Sequence, residues 1–265
     1  MKISMLGRFN HEIISAYSEQ NDTGKALFLT YEGLYREGDY ILFSEISVPF
    51  VNIKVDDFIA ETTLYVPKGE FVFKIPYGIA SWAYHYYAFV GEVHHISICE
   101  TSAMQLMGSR NISENPLDQK DNMLGFPHVT ANTVTRGEPW FEPRNAIDGI
   151  INTESHGPYP FCSWGVGYTD DVSATVDFGR DIIAEECVII LRNDQYKEHD
   201  ANWLSGRLLL SDGTDIPLAF SPLKQSYNIP LEGNKINRLT ITDLKRPNGE
   251  KYCALTQIQV FGKEV

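Results

Sequence analysis

Short segments in which apolar and polar residues alternate run along most of the chain. They are rich in Val, Ile, Phe, Tyr and Thr, whose branched or flat side chains suit the pleated surface of a sheet. Helical patterns are limited to single turns near 102–107 and 145–148. The pattern therefore predicts an all-β fold, with strands at 26–34, 39–46, 65–75, 88–99, 173–178, 186–192, 206–210, 238–241 and 256–261.

Between Met107 and Leu124 the chain turns polar and the strand pattern stops, which is typical of a domain boundary. A length of 265 residues also exceeds the ~100–200 residues usual for one domain. We predict two antiparallel β-sandwich domains of the jelly-roll kind. The first occupies 1–108, an extended linker occupies 109–121, and the second occupies 122–265.

Four fragments follow one another in the second half: Asn145-Ala-Ile-Asp-Gly149, Ser163-Trp-Gly165, Ala174-Thr-Val-Asp-Phe-Gly179 and Leu255-Thr-Gln-Ile-Gln-Val-Phe-Gly262. Their order resembles the discoidin, or coagulation-factor type C, family, which includes the family 32 carbohydrate-binding modules. The resemblance covers the C-terminal half only. It implies a discoidin-like, galactose-binding-like β-sandwich that binds a sugar through loops at one end.

Sugar binding uses flat apolar rings against the pyranose face and side chains that form in-plane hydrogen bonds to hydroxyl pairs. Such side chains concentrate in three predicted loops, at 135–140, 155–164 and 192–203. The resemblance places ligand loops together at one end of the sandwich. The candidate ligand-binding residues are Arg136, Glu138, Trp140, His156, Tyr159, Trp164, Arg192, Asn202 and Trp203.

Several of these candidates have a structural alternative. Trp164 lies in a motif that the family uses for packing, so a core position is favoured for it. Trp140 and Trp203 lie in polar loops, where a large ring contacts a ligand or plugs the domain interface. His156 contacts the ligand or forms a structural hydrogen bond. Arg192 follows the apolar run 187–191, where it is a bidentate donor or an ion-pair partner of a nearby carboxylate.

The resemblance also implies a structural calcium ion held by the Asp-Gly turn and an acidic residue on the last strand. Asp148 matches the first position, whereas Gln257 stands at the second and offers a carbonyl oxygen without a charge. The sequence leaves two alternatives open for Asp148, a calcium ligand or a hydrogen bond within its own turn. Calcium is thus a possible structural ion, and we expect no cofactor to be required.

The function that we expect is carbohydrate binding without catalysis. The alternative is a small intracellular glycosidase or lyase that uses the same loops, with Glu138 or His156 as the acid/base and the arginines orienting the substrate. A nucleophile elbow and an H-E-x-x-H motif are both absent, and the sequence does not decide whether the protein is an enzyme. A protein-interaction module is a third interpretation.

The charge balance narrows the class of partner. The chain has 22 Lys and Arg against 35 Asp and Glu, a net charge of −13, which repels nucleic acid and anionic membranes. No apolar run has the ~20 residues that span a membrane. We therefore expect no nucleic-acid or membrane partner, and the oligomeric state is not specified.

The cysteines and the first residues bear on the compartment. Cys99, Cys162, Cys187 and Cys253 are widely spaced, so we expect reduced core thiols and no zinc or redox motif. The chain starts without the apolar core of a secretory signal. We expect a cytoplasmic protein, or a secreted one from which a signal has been removed.

No motif of comparable specificity occurs in 1–108, and the function of that half is unassigned. The aromatic run 82–89 is a core strand or an exposed platform, with the core strand favoured. His94 and His95 alternate along a predicted strand, so they face opposite sides and cannot share a metal ion.

Overall fold

The computed structural model describes residues 1–17, 26–167, 169–192, 201–247 and 252–265. Its strands pair antiparallel in every sheet, which confirms the predicted all-β class. The described residues contain one short α-helix, Ala103–Met107, and a few 3₁₀ turns. None of these helices has the length and apolar character needed to cross a membrane.

The first half forms two four-stranded sheets, with strand orders β2-β1-β4-β7 and β3-β8-β5-β6. Alternate residues of β3 and β4 are buried, and Phe43 and Ile53 meet in one core from the two sheets. The predicted strand 65–75 divides in two around a turn. The strands are β1 Lys2–Leu6, β2 Glu12–Tyr17, β3 Leu27–Glu32, β4 Tyr40–Ser44, β5 Phe50–Lys54, β6 Thr62–Tyr65, β7 Phe71–Lys74 and β8 Val93–Glu100.

The second half forms one sheet of order β11-β16-β12-β15-β13-β14, with β10 added to β12 and β9 to β16. Trp164 and Leu218, from the two edge strands, belong to the same buried cluster, so the sheet curls around a single core. The predicted strands 173–178 and 186–192 are parts of one long strand, β12. The strands are β9 Arg110–Asn111, β10 His128–Ala131, β11 Trp164–Gly165, β12 Ala174–Leu191, β13 Ser205–Leu210, β14 Asp215–Ala219, β15 Ser226–Lys245 and β16 Ala254–Glu264.

Residues 109–121, which we predicted as a linker, pack against both halves. β9 pairs with β16, and Ile112 is buried in the second core. Leu117 is buried in the first core, and Asp118 Oδ1 lies 2.6 Å from His128 Nδ1. The segment thus adds contacts to each half, while the division at 108 and 122 stays a prediction.

The aromatic run 82–89 is not a strand, so the favoured interpretation is wrong. It begins in the 3₁₀ turn Gly78–Ala83 and continues as an irregular loop. Tyr84 and Phe89 are buried, whereas Trp82, Tyr86 and Tyr87 are more than half exposed. Of the two adjacent histidines on β8, His94 is buried and His95 is exposed, so they face opposite sides as predicted.

Candidate functional site

A pocket of about 160 Å³ opens at one end of the second half, where the predicted loops meet. We call it the end pocket. Three predicted ligand residues, Arg136, His156 and Arg192, line it together, one from each predicted loop. The lining residues are Thr135, Arg136, Phe141, His156, Gly165, Val166, Arg192, Tyr252 and Cys253.

The buried ring of Phe141 is the common neighbour of these three side chains. The guanidinium carbons of Arg136 and Arg192 each lie 5.8 Å from the centre of this ring. The His156 ring lies 6.5 Å from it, at an interplanar angle of 30°. One apolar ring is therefore surrounded by three groups that donate hydrogen bonds, two of them permanently charged.

The backbone conformation at Arg136 directs its side chain toward the Phe141 ring. Arg136 has a φ of 51° and is followed by Gly137 at 64°, so two successive residues take the left-handed conformation. A non-glycine residue in that region is uncommon and is often found at functional sites. The turn also lets Glu138 accept two hydrogen bonds from Arg136, of 2.8 Å from Nε and 2.7 Å from Nη2.

The Arg192 side chain is held in place by burial and by a hydrogen bond to Ser163. Arg192 follows the end of β12, its side chain is buried, and Nη1 donates to Ser163 Oγ at 3.4 Å. The glycine at 165 makes room for the ring that Arg192 faces. A Cβ there would lie 2.9 Å from Phe141 and 3.0 Å from Thr135 Oγ1, closer than normal packing allows. The Ser163-Trp-Gly165 motif thus shapes the pocket through its first and last residues.

Three predicted ligand residues are buried: Trp164 takes the core position that was favoured for it, whereas the burial of Asn202 and Trp203 corrects the prediction. Trp164 and Trp203 are fully buried and pack together with their ring centres 6.3 Å apart. The side chain of Asn202 donates to the carbonyls of Ser221, at 2.8 Å, and Lys224, at 3.0 Å. These side chains are used in packing and loop bracing, so they do not reach a ligand. Residues 193–200 of the third predicted loop lie outside the described residues.

Trp140 and Tyr159 lie between the two halves, the alternative that the sequence left open for Trp140. Both pack against the first core, and Trp140 stacks on Trp82 with ring centres 5.8 Å apart. The backbone N–H of Tyr159 donates to the Trp82 carbonyl at 2.8 Å. Neither residue lines the end pocket.

Glu138 is also outside the end pocket. The hydrogen bonds from Arg136 hold the pKa of its carboxyl below the usual value, so it is ionised at neutral pH. Among the described residues that line the pocket there is no carboxylate. An acid/base role for Glu138 therefore has no geometric support, and its observed role is to orient Arg136.

Asp148 and Gln257 meet in the interior, where Asp148 Oδ1 accepts from the Ile150 N–H of its own turn at 2.9 Å and the amide nitrogen of Gln257 also faces it. Nε2 donates to Asp148 Oδ1 at 2.7 Å, to the Asn145 carbonyl at 2.9 Å and to the Ile150 carbonyl at 3.2 Å. The amide oxygen accepts from the Gly149 N–H at 3.2 Å.

The opposite orientation of this amide would set its oxygen against three acceptors and its nitrogen against a donor. The nitrogen therefore takes the central position among three oxygens, and in this orientation Gln257 does not offer its oxygen to a calcium ion. Burial raises the pKa of Asp148 to about 6. Calcium binding stays a prediction that this arrangement disfavours.

The sequence did not single out Thr135, Phe141 or Tyr252 for the end pocket. Phe141 had a usable signal, because it directly follows Trp140, the last residue of a predicted ligand loop. The 3₁₀ turn Pro139–Phe141 directs Trp140 to the domain junction and Phe141 to the pocket. Tyr252 follows residues outside the described part of the chain, and no pattern in the sequence marks it.

No family model matches the chain, and no curated protein matches it. Solved structures do match about half of it. The lectin domain of Lectinolysin complexed with Lewis B antigen is 13% identical, and the match covers 58% of this chain and 97% of that one with a TM-score of 0.42. A C. perfringens family 32 module from NanJ in complex with galactose is 13% identical. The match covers 50% of this chain and 91% of that one, with a TM-score of 0.37.

A Streptococcus pneumoniae fucose binding module is 14% identical, with 58% of this chain and 99% of that chain covered and a TM-score of 0.41. All three are sugar-binding modules, the class that the C-terminal motifs resemble. At these identities and TM-scores the likenesses carry no functional conclusion for this chain.

Proposed function

We propose that the end pocket binds a carbohydrate. The observation that supports this most is the convergence of Arg136, His156 and Arg192 around the Phe141 ring. A pyranose has one apolar C–H face and a rim of hydroxyls. The three side chains complement the rim, because each offers N–H donors to hydroxyls, while Phe141, which is only 3% exposed, packs against them from within the protein.

The size and charge of the end pocket narrow the ligand. A volume of about 160 Å³ is below the ~300–1,000 Å³ of drug-sized ligand sites, so the pocket takes one sugar residue. The planar guanidinium of Arg192 is suited to two neighbouring hydroxyls, and its burial fixes the direction of its donors. We propose a terminal sugar residue, held by its hydroxyl pair.

Binding without turnover is the better supported form of this proposal. Glycoside hydrolysis usually requires two carboxyl groups flanking the scissile bond. The described pocket lining has none, and both oxygens of the nearby Glu138 accept hydrogen bonds from Arg136. His156 alone does not supply the second group.

The proposal is tested on a glycan array, with reducing-sugar release measured on each glycan that binds. Hydrogen bonds to charged groups contribute ~1.5–3 kcal/mol, so Arg136→Ala should weaken binding about tenfold or more. Arg192→Lys keeps the charge but loses the planar fork, and it should weaken binding as well. No glycan should be cleaved.

Arg207→Ala is the matched control for Arg136→Ala. Like Arg136, Arg207 is exposed and paired with a carboxylate, that of Asp215, but this pair lies on strands β13 and β14. It should bind as the wild type does. Equal affinity in Arg136→Ala, Arg192→Lys and the control would show that the sugar is not held by the end pocket.

A further inference from the structure

A second surface lies beside the end pocket, on the irregular loop 82–89 and its neighbours. We call Phe58, Trp82, His85, Tyr86, Tyr87 and Tyr159 the aromatic platform. Four of its six rings are more than half exposed, with Tyr86 at 68%. A contiguous set of exposed aromatic rings on a folded protein marks an interaction site.

The rings of the aromatic platform hold one another in place. Phe58 and Tyr86 stack against His85 from two sides, with ring centres at 4.9 and 4.7 Å and interplanar angles of 11° and 17°. Tyr159 meets the same His85 ring edge-on at 5.0 Å. The platform is therefore organised before a ligand arrives, which reduces the entropy lost on binding.

The aromatic platform is uncharged but has polar edges. It borders a cavity of about 270 Å³ in which none of the lining residues is Asp, Glu, Lys or Arg. The Tyr87 backbone N–H donates to His85 Nδ1 at 3.2 Å, so in the neutral ring the proton is on Nε2. Flat faces with hydroxyl and N–H groups at their edges suit a neutral pyranose, and this cavity lining has no carboxylate, ammonium or guanidinium group to pair with an ionic ligand.

Two connections place the aromatic platform next to the end pocket. The ring centres of Trp82 and Trp140 lie 5.8 Å apart, and those of Trp140 and Phe141 lie 6.3 Å apart. Phe141 lines the end pocket. His156 of the end pocket and Tyr159 of the platform are three residues apart on one loop, which is at most ~10 Å of extended chain. One short glycan can reach both.

We propose that the aromatic platform binds a further, uncharged sugar residue of the same glycan whose terminal residue occupies the end pocket. This inference rests on the proposed function of the end pocket. The ligand class is then a neutral oligosaccharide, and a monosaccharide fills only part of the site.

The test uses an array of neutral oligosaccharides and their terminal monosaccharides, including GalNAc-β-1,3-galactose and its terminal residue GalNAc, followed by calorimetric titration of the glycans that bind. The wild type should bind an oligosaccharide at least tenfold more tightly than its terminal monosaccharide. Tyr86→Ala should weaken the oligosaccharide about three- to tenfold and leave the monosaccharide unchanged. Phe28→Ala is the control, since Phe28 is an equally exposed ring on β3.

Each outcome separates the two proposals. Equal affinities of the wild type for oligosaccharide and monosaccharide, or a Tyr86→Ala variant that behaves like Phe28→Ala, overturn the platform and leave the end pocket standing. A wild type that binds only acidic glycans overturns the platform and leaves the end pocket standing, and a wild type that binds no glycan overturns both. A dimer that becomes a monomer in Tyr86→Ala, measured by sedimentation, assigns the platform to a second copy of the chain and overturns the sugar site.

Discussion

Replacing Gln257 by Glu tests whether the Gln257 amide holds together the oxygens that a calcium ion would otherwise bind. The amide nitrogen of Gln257 donates to Asp148 Oδ1 and to the carbonyls of Asn145 and Ile150, all inside the protein. Gln257→Glu removes both amide N–H groups and sets a second carboxylate against Asp148. Breaking a buried charged network of this kind costs ~3–5 kcal/mol.

In this variant the new carboxylate completes an all-oxygen set with Asp148 and the two carbonyls, so we expect it to bind calcium. Calcium at 100-fold above its dissociation constant returns ~2.7 kcal/mol to the folded state. For a protein of this size ~1 kcal/mol corresponds to ~2–4 °C of Tm, so the variant should melt at least ~6 °C lower in chelator and recover most of that in calcium.

The assay is a set of thermal melts of demetallated protein in excess chelator and in saturating calcium. Gln259→Glu, the same exchange at a half-buried position of the same strand, is the control and should not respond to calcium. The wild type should melt at one temperature in both solutions. A wild-type Tm that rises in calcium would refute the reasoning, as would a Gln257→Glu variant as stable as the wild type in chelator.

Three further predictions follow from other contacts. Glu138→Gln should lower sugar affinity no more than about threefold, because the pair with Arg136 is solvent-exposed, whereas an acid/base enzyme would lose its turnover. Burial raises the pKa of Asp148 from 3.8 to about 6. The neutral carboxyl therefore stabilises the folded protein fully below pH 3.8, and this contribution is lost as the pH rises through 6. In urea unfolding, Asp148→Asn should show a flatter pH dependence than the wild type between these two values. A fragment 109–265 should unfold at higher urea than a fragment 122–265, because the shorter one lacks Ile112 and Asp118; equal midpoints would contradict this.

The alternation of apolar residues was sufficient for the all-β class, because the side-chain period of a strand is local. Strands β3, β4, β13 and β16 lie where the pattern predicted them, to within a few residues. The pattern did not show that β12 is one strand, since its register shifts after Asp177 and after Ala184 interrupt the alternation. The strands β1, β2, β5, β9, β10, β11 and β14 were not predicted.

The site was predictable at the level of loops and not of individual rings. Arg136, His156 and Arg192 were found because polar and aromatic residues concentrate in those loops. Trp203 looked equally suitable, yet it packs on Trp164, a contact between residues distant in sequence that composition does not reveal. For Gln257 the sequence offered an oxygen, and only the three surrounding acceptors decide that its nitrogen faces inward.

The most direct test of the central claim is an NMR titration that follows the imidazole resonances of the histidines while a monosaccharide selected on the glycan array is added. His156 lines the end pocket, whereas His95 is exposed on β8 and pairs with Asp57. The His156 resonance, assigned from its loss in His156→Asn, should shift in proportion to occupancy while that of His95 stays in place. An unchanged His156 resonance at saturating sugar would contradict binding at the end pocket.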